Sequence, residues 1–325
     1  MNLTPQNIGF GLTAALATVL LCLGLATGSA LSFLLYFLSA VPLMVATLGW
    51  GFSVGALGAI ASTIVILLVT NFGTALFIVA TTIFPAVMAG FLMNLARPAE
   101  EIGGPAGKMV WYPLADVIFR LALITGFAFI VAGALIGYGP ALIDPLVAEF
   151  VVRYREVSPD FTGFSPEALE DFKVFVLYFL PILQTMMWVI VLVANLAIAL
   201  SITRRSGRLK RPRDDWAFAL RLPRLAGAAF VVAVLVSLAP GALGLAANAI
   251  IGALAGGFIL SGFAQMHAGR RGQPWQPAAL IACYMATLLI GFPLLIFFIM
   301  GMFATTRAMP VSNNSNQNSN DNNNT

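Results

Sequence analysis

From Met1 to Leu95 the chain contains no Asp, Glu, Lys or Arg. Apolar residues in this run follow neither the two-residue alternation of a half-buried strand nor the single stripe of a surface helix. They cover every face. Such segments predict helices immersed in lipid, where a helix satisfies its own backbone groups, whereas a barrel strand would alternate. A span needs about 20 residues, so the run predicts four, near 8–28, 30–48, 51–70 and 73–95. Thr27-Gly28, Gly49-Trp50-Gly51 and Asn71-Phe72-Gly73 part them.

A polar loop follows, Arg97 to Pro113, and then a fifth span near 114–137. The segment 138–173 is the longest polar stretch, with seven acidic residues. Within it Leu142, Leu146, Phe150 and Tyr154 recur every four residues, which predicts an amphipathic helix on the membrane surface or over a cavity mouth. Ser165-Pro166-Glu167 reads as a helix start, with Ser as cap, Pro in the first turn and Glu against the dipole. Further spans are expected near 173–203, 225–239, 242–267 and 277–303, the seventh of them short. The fold class is therefore all-α, a polytopic transmembrane bundle of eight or nine spans over residues 1–307. The tail 308–325, almost pure Asn, Ser and Gln, is expected to be disordered.

Charge then supplies direction. Only 9% of the 325 residues are charged and 60% are hydrophobic, which excludes a soluble enzyme or a nucleic-acid-binding domain. The net charge of +4 reflects 17 basic residues, eight of them between Arg204 and Arg224. A basic cluster at the end of a span marks the cytoplasmic side. Arg204, Arg205, Arg208, Lys210, Arg211 and Arg213 are thus expected inside, as are Arg270 and Arg271, the 97–113 loop and the N-terminus. The N-terminus carries no basic region of a cleavable signal, so the first apolar segment is expected to stay in the membrane.

The same scarcity limits chemistry. One histidine, His267, and two separated cysteines, Cys22 and Cys283, make no metal or redox spacing. Neither a catalytic pair nor an ATP-binding loop of the form G-x-x-x-x-G-K-[ST] is present, so no enzyme activity, metal or cofactor is expected. Asp116 and Arg120 share a face of the fifth span, either as an ion-coupling pair or as a salt bridge near its end. Gln184, Trp188, Asn195 and Asn248 are amides or an indole within spans. They read either as contacts to a polar ligand or as hydrogen bonds between helices. Phe150 and Tyr154 would face the ligand from the amphipathic lid. Pro42, Pro85 and Pro181 either kink spans around a cavity or shape the packing. Small residues recur at four-residue spacing in Gly9, Thr13 and Ala17, in Gly51, Gly55, Ala59 and Thr63, and in Gly244, Asn248, Gly252 and Gly256. These stripes would pack helices or dock a partner.

Val41-Pro42-Leu43-Met44 with Leu48-Gly49-Trp50-Gly51, the late segment Gly262-Phe263-Ala264-Gln265-Met266-His267, and Gly301 with Arg307 after it together resemble the YybS-like family of bacterial membrane proteins. That family is distantly similar to the S components of energy-coupling-factor transporters. The resemblance implies a bundle holding a small molecule from the outer side of the bacterial inner membrane. A separate ATPase and coupling subunit would drive the cycle. The chain differs in having about three extra helices, and in a first-helix stripe of Gly9, Thr13 and Ala17 where S components carry Ala-x-x-x-Ala. A small-solute binding or transport protein in the lipid bilayer is the expectation that follows. A membrane scaffold for envelope or division machinery, using the basic loop as its contact, is the alternative.

Overall fold

The computed structural model describes residues 4–24, 28–158, 163–269 and 272–306. Thr27, Arg270, Arg271, Arg307 and the 308–325 tail lie outside the described residues. The first half contains α1 (Pro5–Leu23), α2 (Ala30–Phe37), α3 (Val41–Trp50), α4 (Phe52–Val69), α5 (Phe72–Ile78) and, after a π turn at Val79–Ile83, α6 (Phe84–Met93). A short ribbon of β1 (Ala96–Pro98) and β2 (Met109–Trp111) leads to α7 (Leu114–Ile136) and α8 (Pro140–Val157). Next come α9 (Pro166–Arg205), α10 (Trp216–Ala219), α11 (Arg224–Ser237), α12 (Ala242–Gly269), α13 (Gln276–Ile290) and α14 (Pro293–Ala304).

The protein is an all-α polytopic membrane protein. Seven stretches are long and apolar enough to cross a bilayer, namely α1, α2 with α3, α4, α5 with α6, α7, α9 and α12. The pair α13 and α14 makes an eighth if it counts as one span. Local signals start several of these helices. Thr4 accepts from the Asn7 N–H, Asn71 from Thr74, and Ser165 from Ala168, each filling one of the free donors of a first turn.

Two predicted spans take a different form. The helix expected over 277–303 is broken, and its halves meet at 117°. Gly291, at φ 73°, ends α13, and Pro293 opens α14 in the one helical turn that needs no N–H from it. The span expected over 225–239 is α11, only 14 residues, or about 21 Å against a hydrocarbon core of about 30 Å. It is short because the chain before it already climbs into the bundle. Leu220 and Leu222 are buried, and the Ser261 hydroxyl donates to the Leu220 carbonyl at 3.1 Å. The 97–113 loop is also more ordered than expected: β1 and β2 pair antiparallel, with Arg97 opposite Val110.

Small residues decide which helices touch. Residues 252–259 of α12 are buried without interruption, so this helix runs through the middle of the C-terminal half. Gly252 and Gly256 lie against the α9 backbone at Ile182 and Met186, and Gly262 and Gly301 bring α12 and α14 into backbone contact. The α12 stripe therefore packs inside the protein. The α1 stripe does not: Gly9 has nothing near it and Thr13 is exposed. The contact of α1 with α4 is made one step round the helix, where a Cβ on Gly58 would come within 2.9 Å of the Gly11 carbonyl. Ser62 lies beside the Ala15 carbonyl one turn further on, so α1 and α4 run parallel.

Candidate functional site

Four polar side chains in or beside the spans, Asn195, Trp188, Tyr138 and Asn248, bond carbonyls close to three prolines. A proline leaves the carbonyl four residues earlier without its helical donor, and in lipid that carbonyl must find another. At the start of α3, Pro42 cannot serve the Leu38 carbonyl, which takes the Val41 N–H instead at 3.0 Å. The Phe37 carbonyl is then left over, and the Asn195 amide donates to it at 2.7 Å. In the α5–α6 span, Pro85 has no N–H to offer Thr81. The Trp188 indole donates to that carbonyl at 2.6 Å. In α9, Pro181 leaves the Leu177 carbonyl free for the Tyr138 hydroxyl at 2.9 Å, and Asn248 donates to the neighbouring Tyr178 carbonyl at 2.9 Å.

Trp188 and Asn248, which read in sequence either as ligand contacts or as bonds between helices, make hydrogen bonds between helices. The physical reason is common to both: a donor in hydrocarbon is held by a backbone carbonyl of the neighbouring helix. Trp188 is further fixed by aromatic neighbours, with Tyr36, Phe37 and Phe129 at 5.5, 6.2 and 6.4 Å between ring centres. Asn195 follows the same rule. Tyr138 is the residue that sequence reasoning missed, and its only signal was its place just beyond the end of a span.

Gln184 differs. It is exposed, and it makes no hydrogen bond to any described residue. It lines a half-open cavity of about 400 Å³ between α5, α7, α8, α9 and the start of α12, whose wall includes Phe77, Phe129, Tyr138, Ile143 and Leu146. The lining is overwhelmingly apolar. The Tyr138 hydroxyl is already committed to α9, and burial pushes its phenol up to about 12. Gln184 is thus the free hydrogen-bonding group of the cavity.

The lid lies where expected, but it is turned. Ile143 and Val147 are its buried positions, and Leu142, Ile143 and Leu146 close the cavity. Phe150 and Tyr154 do not reach it. They stack on each other at 5.9 Å, and Phe150 packs on Phe172 at 5.7 Å, beyond the cavity along the protruding start of α9. Four-residue spacing drifts around a 3.6-residue helix, so a stripe that begins at the cavity with Leu142 leaves it two turns later. Lys173 of α9, 3.8 Å from Asp144, ties this exposed end to α8.

At the opposite rim, Asp116 and Arg120 do not form an ion pair within 4 Å; the Arg120 guanidinium lies over the Tyr112 ring at 5.3 Å. The basic loop is not uniformly free either. Arg211 is buried, forms a two-pronged pair with Asp214 at 2.7 and 2.8 Å, and donates to the Tyr112 carbonyl at 2.7 Å. It clamps the β ribbon to the basic loop. Arg208 lies over the Trp50 ring at 5.2 Å, and Arg204 reaches the Pro212 carbonyl at 3.5 Å. Arg205, Lys210 and Arg213 are exposed. His267 bonds the Phe263 carbonyl and the Tyr284 hydroxyl at 2.8 and 3.1 Å, and Gln265 donates to Met300 at 2.8 Å, so both hold the end of α12 in place. Among the described residues no three of His, Cys, Asp and Glu come together as metal ligands. No family model matches the chain, and no curated protein or solved structure does either.

Proposed function

We propose that this membrane protein binds a small, mainly apolar molecule carrying one hydrogen-bonding group, in the cavity beneath α8. The observation that carries the reading is the free Gln184 amide on an otherwise apolar wall. That amide is free to pair with a ligand's donor or acceptor, while the apolar wall takes the rest of the molecule. The volume of about 400 Å³ falls in the range of small-molecule sites. The amphipathic α8 is a natural cover, because Leu142, Ile143 and Leu146 face the cavity from it.

The same reading places the cavity toward the outer face of the bacterial inner membrane and the N-terminus, β ribbon and basic loop toward the cytoplasm, by the distribution of basic residues. It accords with the S-component resemblance, in which binding is separate from catalysis and an ATPase with its coupling subunit would supply the energy. Native mass spectrometry of the full chain from mild detergent tests it. A retained small molecule should be seen, lost in Ala246→Phe, which fills the cavity, and weakened in Gln184→Leu. A wild-type protein with no bound molecule, or binding untouched by both changes, overturns the reading.

A further inference from the structure

A second cavity, of about 690 Å³, lies at the other end of α9. Its rim carries Arg204, Arg205 and Arg213, and its wall includes Leu200, Trp216 and Ala217. The geometry points to a binding site for one anionic glycerophospholipid, its phosphodiester between the guanidinium groups and an acyl chain along the apolar wall.

Three features carry this. The first is uncompensated positive charge. Asp214 also lines the cavity, but both its oxygens are held by Arg211, so among the described lining residues only Asp215 is left to set against Arg204, Arg205 and Arg213. Arg205 and Arg213 make no contact with any described carboxylate. The second is the division of the groove into charged and greasy parts. Ala197, Ser201, Arg204 and Arg205 follow one another along a single face of α9, so the helix passes from apolar wall to cationic rim within two turns. That gradient matches a lipid at the boundary between acyl chains and headgroups. A soluble phosphate would have no use for the apolar half. The third is access from the bilayer. Ile198 and Ile202, beside the groove on α9, are exposed apolar side chains that the acyl chains of the bilayer would cover. Guanidinium groups match phosphate oxygens in pairs, and basic pockets between spans are suited to anionic headgroups.

The test uses the full chain in nanodiscs of phosphatidylcholine with a minor share of phosphatidylglycerol, released into native mass spectrometry to count bound lipid. Arg205→Gln with Arg213→Gln should lower retained phosphatidylglycerol by about thirtyfold, while melting in pure phosphatidylcholine discs stays as in wild type. Arg97→Gln with Lys108→Gln, removing two charges from the same rim outside the groove, should leave retention unchanged. Equal losses in the two pairs would mean diffuse surface attraction and would overturn the site. So would unchanged retention in the first pair, or displacement of the lipid by millimolar inorganic phosphate.

Discussion

The indole N–H of Trp188 lies 2.6 Å from the Thr81 carbonyl, four residues before Pro85. The two residues belong to different spans, so a defect in one helix is repaired by a side chain of another. Trp188→Phe keeps the ring and removes the donor. It should destabilise the protein by about 1–3 kcal/mol, the cost of a buried polar group left unpaired. Pro85→Ala returns an N–H to the broken turn, so the double variant should lose less than the sum of the two single changes. Denaturant unfolding in detergent measures the coupling, and strict additivity would refute the repair.

Tyr138 makes the equivalent bond beside Pro181, and here pH reads it out. Its phenol is pushed up to about 12 in the folded protein, against an ordinary value of 10, by burial. The folded state therefore holds the proton more tightly than the unfolded state. Its stabilising share is complete below pH 10 and is lost as pH rises from about 10 through about 12. Tyr138→Phe should flatten that part of the stability curve, which thermal melts across the alkaline range would show.

Arg211 is the one arginine of the basic loop whose removal should damage the fold. Arg211→Ala leaves Asp214 and the Tyr112 carbonyl without their donor, and breaking such a buried pair costs about 3–5 kcal/mol. Proteolysis within the 94–113 ribbon should accelerate sharply. Arg205→Ala, in the same loop but exposed, should leave the cleavage rate as it was.

Glycine substitutions should sort the two small-residue stripes. A Cβ on Gly256 would come within 2.7 Å of the Met186 carbonyl, so Gly256→Ala must push α12 from α9, at a cost of about 1–3 kcal/mol. Gly9→Ala meets nothing and should be neutral or stabilising by roughly 0.5–1 kcal/mol. Melting temperatures of the two variants give the comparison directly.

The spans were legible because lipid imposes a simple demand: a long apolar run must be a helix. The breaks were less so. Pro42, Pro85 and Pro181 were visible, but which side chains would mend them depends on three-dimensional neighbours such as Tyr36 and Phe129 around Trp188. Asn248 and Gln184 look alike in sequence, and only the position of Tyr178 separates a fastener from a free amide. The bend at Gly291 escaped notice because apolar residues continue on both sides of it. Arg211 escaped because a buried arginine and an exposed one have the same letter in a basic run.

The repaired carbonyls also set an order of events. Phe37 and Thr81 belong to the first four spans, while their donors, Asn195 and Trp188, are made 158 and 107 residues later on α9. As the chain is synthesised, the early helices enter the bilayer with these carbonyls still unmet, and no group within their own spans replaces the missing donors. These two bonds between the early spans and α9 can form only once α9 has been made. A chain stopped ahead of that helix would lack both repairs, while the contact of α1 with α4 at Gly11 and Gly58 would not depend on it.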